Sequence, residues 1–463
     1  MKHIHRLAWV LVFAVASALS TLIPPMQSPD EMSHLGRAYL ISQGKWFLET
    51  LPPDLELVGQ DQNVSEMLAR ARSLKVYLGG QVDQGLLEFA DAQKASTVHQ
   101  RSAADIQRIS TIEWTGKERY FSLWGTVYYF PVVYLPQAAG FFIGQQLHWT
   151  VQNSYQLVRS TTLLACVVLF SIAFQLVPVP PVAVALLMLP MSVFQILSPT
   201  IDGLTTALAA LVLSLFIYSL KNPTKSAPIW QMALCIFILA TSRTHLTPMF
   251  LLPAYIAWRR NSWPGAWIVA AFFAGAIAWA GLALGANNGL MLDTQHTSAG
   301  LLLAYLANPL AFVKIVFSTL SDPVQSVFLQ HSFIGILGWL DAPLDAHFYP
   351  VLWAGLGICA MSSCTFAGLG EYWGARAALA ICAVAAICLT FLALLVTFTP
   401  HPATLVQGVQ GRYFLVPSIM LAYAISDYHG ARTLRTVLPA LVVSALSIGA
   451  LVITLGTRYS AAA

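Results

Sequence analysis

The sequence predicts an all-α polytopic membrane protein of about eleven transmembrane helices, with juxtamembrane helices in a long first loop. Three observations predict it. Of the 463 residues 57% are hydrophobic and only 10% charged, with a mean hydropathy of +0.67. Apolar runs close to the spanning length recur along the chain, and short basic loops alternate with polar ones. A soluble chain carries about a quarter charged residues to cover its surface. The net charge of +4 is too small and too dispersed for a nucleic-acid partner.

The elements follow in order. LAWVLVFAVASALSTLIPP, residues 7–25, has a basic start and no convincing small-x-small cleavage site, so it reads as a membrane anchor. Residues 24–125 form the single long hydrophilic region and hold most of the acids. Further spans are expected at about 158–177, 182–198, 203–220, 229–242, 246–258, 264–284, 350–368, 375–397, 412–427 and 436–456. The loops KNPTK, WRRN, GAR and HGARTLR are basic and belong in the cytoplasm. That assignment turns residues 24–125, SPTIDG, SRTHLTP, 285–349 and HPATLVQGVQGR to the outside. It also assigns the apolar run 126–149 to the outer interface, where its prolines, tyrosines and tryptophan fit, the alternative being a genuine span there with one later segment not crossing. Residues 285–349 read as a second extracytoplasmic or re-entrant region. Residues 1–460 are thus one transmembrane domain, and 461–463 are set apart as a cloning scar.

The six cysteines all lie in apolar segments and read as small buried hydrophobes. No Walker A loop is present, and His296, His331, His347 and His401 lack metal-ligand spacing. Asp341, Asp345 and His347 read as a solvated loop in preference to a divalent-cation site, and Asn63-Val64-Ser65 as a chance sequon.

Candidate chemistry gathers in the outer loops. In SPDEMSHLGRAYLISQG, a helix over 29–43 places Asp30, His34 and Arg37 on one stripe with Glu31 beside them. Ser28 suits an N-cap and Glu31 completes a capping box with it, which leaves Asp30 free for a cavity. Asp202 stands at the boundary of a span, as a site residue or as a carboxylate at a positive helix end. Arg243, His245 and Arg412 are cations on the side that the positive-inside bias disfavours, so they call for an anionic partner in protein or lipid. Gly408 and Gly411 make Arg412 the better phosphate ligand, with Gln410 and Tyr413 beside it; a snorkelling arginine is the competing account.

Four stretches, PDEMSHLGRAYLISQG, WGTVYYFPVVYLPQAAGFFIG, SPTIDGL and VQGRYFLVP, together resemble domain-of-unknown-function family 2142, whose members look like GT-C glycosyltransferases. The resemblance runs in order over nearly the whole chain. It implies a GT-C-like fold in a bacterial cytoplasmic (inner) membrane, with an active site facing the periplasm or cell exterior. It further implies a polyprenyl-phosphate sugar donor, an envelope glycan or lipid acceptor, and a separate polyprenyl-phosphate sugar synthase and flippase as partners. By motif position Asp30 corresponds to the general base and Asp202 to a second outer acid, with Glu31 grouped beside them. His34, Arg37, Arg243, His245, Gln410, Arg412 and Tyr413 are assigned to substrate binding. SRTHL departs from the lysine-containing turn often seen in relatives, which weights the phosphate role toward Arg412. No cofactor is required, though two nearby acids suit a divalent cation. The competing classes are a lipid-linked sugar flippase or transporter, an enzyme of diphosphate-linked oligosaccharides, and a membrane scaffold.

Overall fold

A computed structural model describes residues 2–52, 77–98, 102–286, 296–364, 370–428 and 434–459. The Asn63 sequon and the last four residues lie outside them. Among the described residues nineteen α-helices follow in chain order: α1 (Lys2–Ser20), α2 (Glu31–Ser42), α3 (Gln84–Val98), α4 (Ala103–Ser110), α5 (Leu135–Gln146), α6 (Val151–Leu176), α7 (Pro181–Leu187), α8 (Pro190–Leu197), α9 (Asp202–Lys221), α10 (Ile229–Ser242), α11 (Leu251–Arg259), α12 (Trp263–Ala286), α13 (Ser298–Ala307), α14 (Pro309–Ser321), α15 (Pro323–Ile334), α16 (Phe348–Ser363), α17 (Trp373–Thr397), α18 (Leu415–Ile425) and α19 (Leu434–Tyr459).

Among the described residues five helices, α6, α9, α12, α17 and α19, are long and apolar enough to cross a membrane. The pair α13–α14, bent by 102° at Asn308-Pro309, makes up to six. The chain is therefore a multi-pass membrane protein, with fewer full-length spans than the eleven its hydropathy suggests. The difference has local causes. The expected span 182–198 divides at Pro190, which starts α8 after Leu189 has turned out of helical geometry. The expected span 246–258 opens as a 3₁₀ turn over Thr244–Phe250 with Pro248 inside, leaving α11 only nine residues. Residues 126–149 form a 3₁₀ turn at Pro131–Tyr134 and the 12-residue α5, which is about 18 Å long and too short to span.

α9 is the hub: it is buried along almost its whole length, and α6, α8, α10, α11 and α18 pack around it. A helix apolar on every face belongs in the middle of a bundle. Its first residue, Asp202, is thereby fixed at one end of the bundle, and its C-terminal carbonyls are capped at the other. There Arg260 Nη2 donates to the carbonyls of Ser219 and Asn222 (2.8 and 3.0 Å), and Arg376 Nη1 to those of Ala424 and Ser426 after α18 (2.6 and 2.8 Å). Cations at helix C-termini are also favoured by the helix dipole.

Above the Asp202 end sits a small layer with its own apolar core, drawn from α2, α3, α5 and the first turns of α6. A three-stranded antiparallel sheet, β1 (Glu49–Thr50), β2 (Tyr77–Asp83) and β3 (Glu118–Ser122), borders it in that order. α5 lies against α6 through Gly140 and Gly144. A Cβ at Gly140 would stand 2.6 Å from Val158 Cα, and one at Gly144 2.4 Å from Ser154 Oγ. The small-xxx-small spacing lets the two backbones approach closely. A second hairpin, β4 (Ile336–Leu337) with β5 (Ala342–Pro343), reaches over the same end.

Candidate functional site

Asp30 is the N-cap of α2 and adopts a left-handed conformation, φ 59° and ψ 11°. Asp tolerates that region better than most residues, but the position still carries strain that its surroundings must hold. Glu31 provides the hold. Its carboxylate accepts the amides of Met26 (3.1 Å) and Ser28 (2.9 Å) and the Tyr155 hydroxyl (2.6 Å). Trp339 Nε1 donates to the Met26 carbonyl at 2.8 Å, and Ser28 Oγ donates to Ser198 Oγ at 2.5 Å. The expected capping box is therefore only half formed: Glu31 reaches back to Ser28, but Ser28 turns to Ser198 and the helix starts after Asp30. Glu31 is fully buried, and its carboxylate is engaged by the Met26 and Ser28 amides and the Tyr155 hydroxyl, so it shapes the loop that carries Asp30.

The loop delivers Asp30 to a charge cluster. Arg412 Nη2 lies 3.9 Å from Asp30 Oδ2, and its Nη1 lies 3.5 Å from Asp202 Oδ2. Arg243 Nη2 pairs with Asp202 Oδ1, and its Nη1 donates to the Tyr129 hydroxyl at 3.1 Å. Gln195 Nε2 approaches Asp202 Oδ2 at 3.4 Å. Two carboxylates thus face two guanidiniums, and the formal charges balance. The two acids differ in access, with the Asp30 side chain 58% exposed and that of Asp202 14%. Arg412 is 6% exposed, yet its guanidinium makes no hydrogen bond among the described residues, and its Nε is buried without a partner. A buried guanidinium with open donors is poised for an oxygen-rich anion.

Each arginine reaches the cluster because its helix stops short. α10, about 21 Å long, ends at Ser242, and Arg243 leaves helical geometry (φ −139°, ψ 81°). Arg412 lies in a 3₁₀ turn, Gly411–Phe414, ahead of α18. Gly411 is pressed on α15, where a Cβ would stand 2.2 Å from Phe333 N and 2.3 Å from Leu329 O. No larger residue seats Arg412 there.

His34 is buried, shares a 2.8 Å hydrogen bond between Nδ1 and the Tyr134 hydroxyl, and stacks on Tyr129 at 6.0 Å. Burial, against the opposing pull of Asp202, lowers its pKa to about 3, so the ring is neutral at physiological pH. His245, next but one to Arg243, is lowered to about 3 by burial and by that arginine. Tyr413 lies under the Arg412 guanidinium at 5.4 Å. Two further sequence-assigned residues contact neither acid directly. Arg37 gives Nη2 to the Trp46 carbonyl at 2.7 Å and leaves Nε and Nη1 buried without partners among the described residues, while Gln410 contributes its backbone carbonyl to the Tyr413 amide and leaves its Oε1 buried without a partner. Tyr129, Tyr134 and Gln195 were hidden in apolar runs. The only sign of the tyrosines is the density of hydroxyls in TVYYFPVVY, which equally suits an interfacial belt.

Among the described residues no group of three or more His, Cys, Asp or Glu is arranged to hold a metal ion. Asp30 and Asp202, the pair suited by charge to a divalent cation, have Arg412 between them. An apolar groove of about 630 Å³ begins at Thr247-Pro248, two residues beyond His245. It runs between α11 and α12 past Phe250, Leu251 and Phe273 to Trp258 and Trp263, with none of residues 126–149 in its walls.

No curated protein and no solved structure matches the chain. The family DUF2142, described as a predicted membrane protein, matches residues 11–422, across the anchor, the acidic loop, the charge cluster and α18. The chain belongs to that family.

Proposed function

We propose that the protein is an integral-membrane glycosyltransferase of GT-C type. In this reading it moves a sugar from a polyprenyl-phosphate donor to a cell-envelope glycan or lipid acceptor, on the extracytoplasmic face of a bacterial cytoplasmic membrane. The observation that carries the reading is the pairing of an exposed carboxylate, Asp30, with a buried arginine whose donors are open, Arg412. Asp30 takes the proton of an acceptor hydroxyl as that oxygen attacks the anomeric carbon. The bond from that carbon to the phosphate oxygen breaks on the opposite face, polyprenyl phosphate departs, and the configuration inverts. The negative charge left on the phosphate is met by Arg412 first and by Arg243 next, with neutral His245 as a further donor. Asp202 is engaged by both arginines and serves to orient them. The groove between α11 and α12 suits the isoprenoid tail, and no step calls for a divalent cation. A separate synthase and flippase supply the donor. The shorter apolar helices α1, α10, α16 and α18, together with the segments broken at Pro190 and Pro248, complete an eleven-span arrangement in which α13–α14 is not a span.

The test compares cell-envelope glycans by mass spectrometry in a deletion strain carrying the native gene or Asp30→Asn at matched protein levels. Loss of one sugar with accumulation of its polyprenyl-phosphate precursor is expected. Unchanged glycans, or purified protein that moves sugar lipid across liposomes without transferring the sugar, would replace this reading with transport.

A further inference from the structure

Behind the Asp30 loop lies a cleft that sugar transfer leaves unused. It encloses about 440 Å³ where the end of α1, the first turns of α6 and the last turn of α19 meet α3 and α4. Its polar lining includes Thr21, Gln152, Gln156 and Arg159. The carboxamides of Gln152 and Gln156 make no hydrogen bond among the described residues. Arg159 is 3% exposed. Its Nη1 donates to the carbonyls of Ser20 (2.8 Å) and Ile23 (2.9 Å), its Nη2 to the Tyr155 hydroxyl (2.5 Å), and its Nε has no partner among the described residues. Among the described residues no Asp or Glu lines the cleft, and Glu31 is reached from Arg159 through Tyr155. A buried cation without a carboxylate at contact is costly until an anion arrives.

What lies below the cleft identifies the anion. From Gln156 the i+4 stripe of α6 continues through Ser160, Leu164, Val168 and Ile172, all exposed, so a polar start gives way to bare hydrocarbon. α1 packs on α6, and its Val10, Leu11 and Val15 are equally bare. α6 and α19 are of spanning length, which sets the cleft at headgroup level and the stripe among lipid tails.

We propose that this cleft seats the phosphodiester headgroup of a glycerophospholipid from the adjoining leaflet, with its tails along the α1–α6 stripe. Arg159 meets the phosphate, and the carboxamides of Gln152 and Gln156 meet headgroup hydroxyls. A glycerol headgroup is favoured over an ethanolamine one, because an ammonium finds no carboxylate in the lining. The inference is independent of glycosyl transfer. The bound phosphate bears on the loop of Asp30 through Arg159, Tyr155 and Glu31, so occupancy raises the melting temperature.

The test is native mass spectrometry of the full chain released from nanodiscs of equal phosphatidylglycerol and phosphatidylethanolamine. Wild type is expected to retain phosphatidylglycerol in preference. Gly456→Leu is expected to cut retention about tenfold, since Gly456 lines the cleft and a Cβ there meets nothing within 4 Å. Its unchanged melting temperature in lipid-free detergent shows the fold intact. Gln152→Leu with Gln156→Leu provides a second variant, expected to lose the headgroup preference. Equal retention of both lipids by wild type, full retention by both variants, or thermal stabilisation by free glycerol phosphate equal to that by lipid would overturn the proposal.

Discussion

Arg243 bears on Asp202 and Tyr129 at once, and Arg412 bears on both acids, so the two aspartates carry different duties. Asp30→Asn replaces an exposed side chain with one that tolerates the left-handed region, and its melting temperature should match wild type while transfer is lost. Asp202→Asn leaves Arg243 without its carboxylate and should cost about 3–5 kcal/mol, read in the same unfolding experiment. Equal stability of the two variants would contradict the division. His34 gives a pH dependence. Its folded pKa of about 3 lies below the unfolded value near 6.5, so the unfolded chain binds more protons between them. Stability is therefore full above about pH 6.5 and falls on acidification, by about 1.4 kcal/mol per pH unit for this ring. His34→Gln, which keeps a partner for Tyr134, should about halve the fall in stability between pH 6.5 and 4.5, because His245, lowered likewise, still contributes. At this scale the sequence disclosed the four charges, because ions at span ends and arginines against the positive-inside bias need explanation. It did not place Arg37 relative to the two acids, since helical spacing says which face a residue shares and not how far its side chain reaches.

At the scale of elements, the site depends on helices that end early and on close approaches that glycine permits. Gly411→Ala sets a Cβ against the backbone of α15, which cannot swing aside as a side chain can. It should cost about 1–3 kcal/mol and displace Arg412, so that donor binding weakens together with stability. Gly449→Ala, open on every side, is the control. If Gly411→Ala bound donor as wild type does, the seating of Arg412 on α15 would be immaterial. Hydropathy located most of these helices but ran several together. Pro190 and Pro248 stand in plain view, yet a continuous apolar run hides a break whose polar groups are satisfied inside the bundle. One such bond is from Ser192 Oγ to the Leu186 carbonyl at 2.7 Å.

For the whole molecule, the acidic loop and the capped C-terminal ends lie at opposite ends of α9. With a membrane-impermeant maleimide on whole cells, Lys117→Cys should label directly and Thr224→Cys only after permeabilisation; both positions are exposed. The reverse pattern would invert the topology that the charged loops predict. The membrane class was legible from composition alone, whereas the number of spans was not, because short and broken helices contribute the same hydropathy as long ones. The seat of Gly411 on α15 has a mechanical consequence. Leu303, Leu306, Leu310, Val313 and Phe317 of the α13–α14 elbow, which leads into α15, are exposed, so this run of chain presents a broad face to the lipid. Through Gly411 the seat of Arg412 is joined to this apolar elbow. We predict that shortening the acyl chains of a reconstituted membrane changes the Arg412-dependent step; activity independent of chain length would show that the elbow does not bear on the charge cluster.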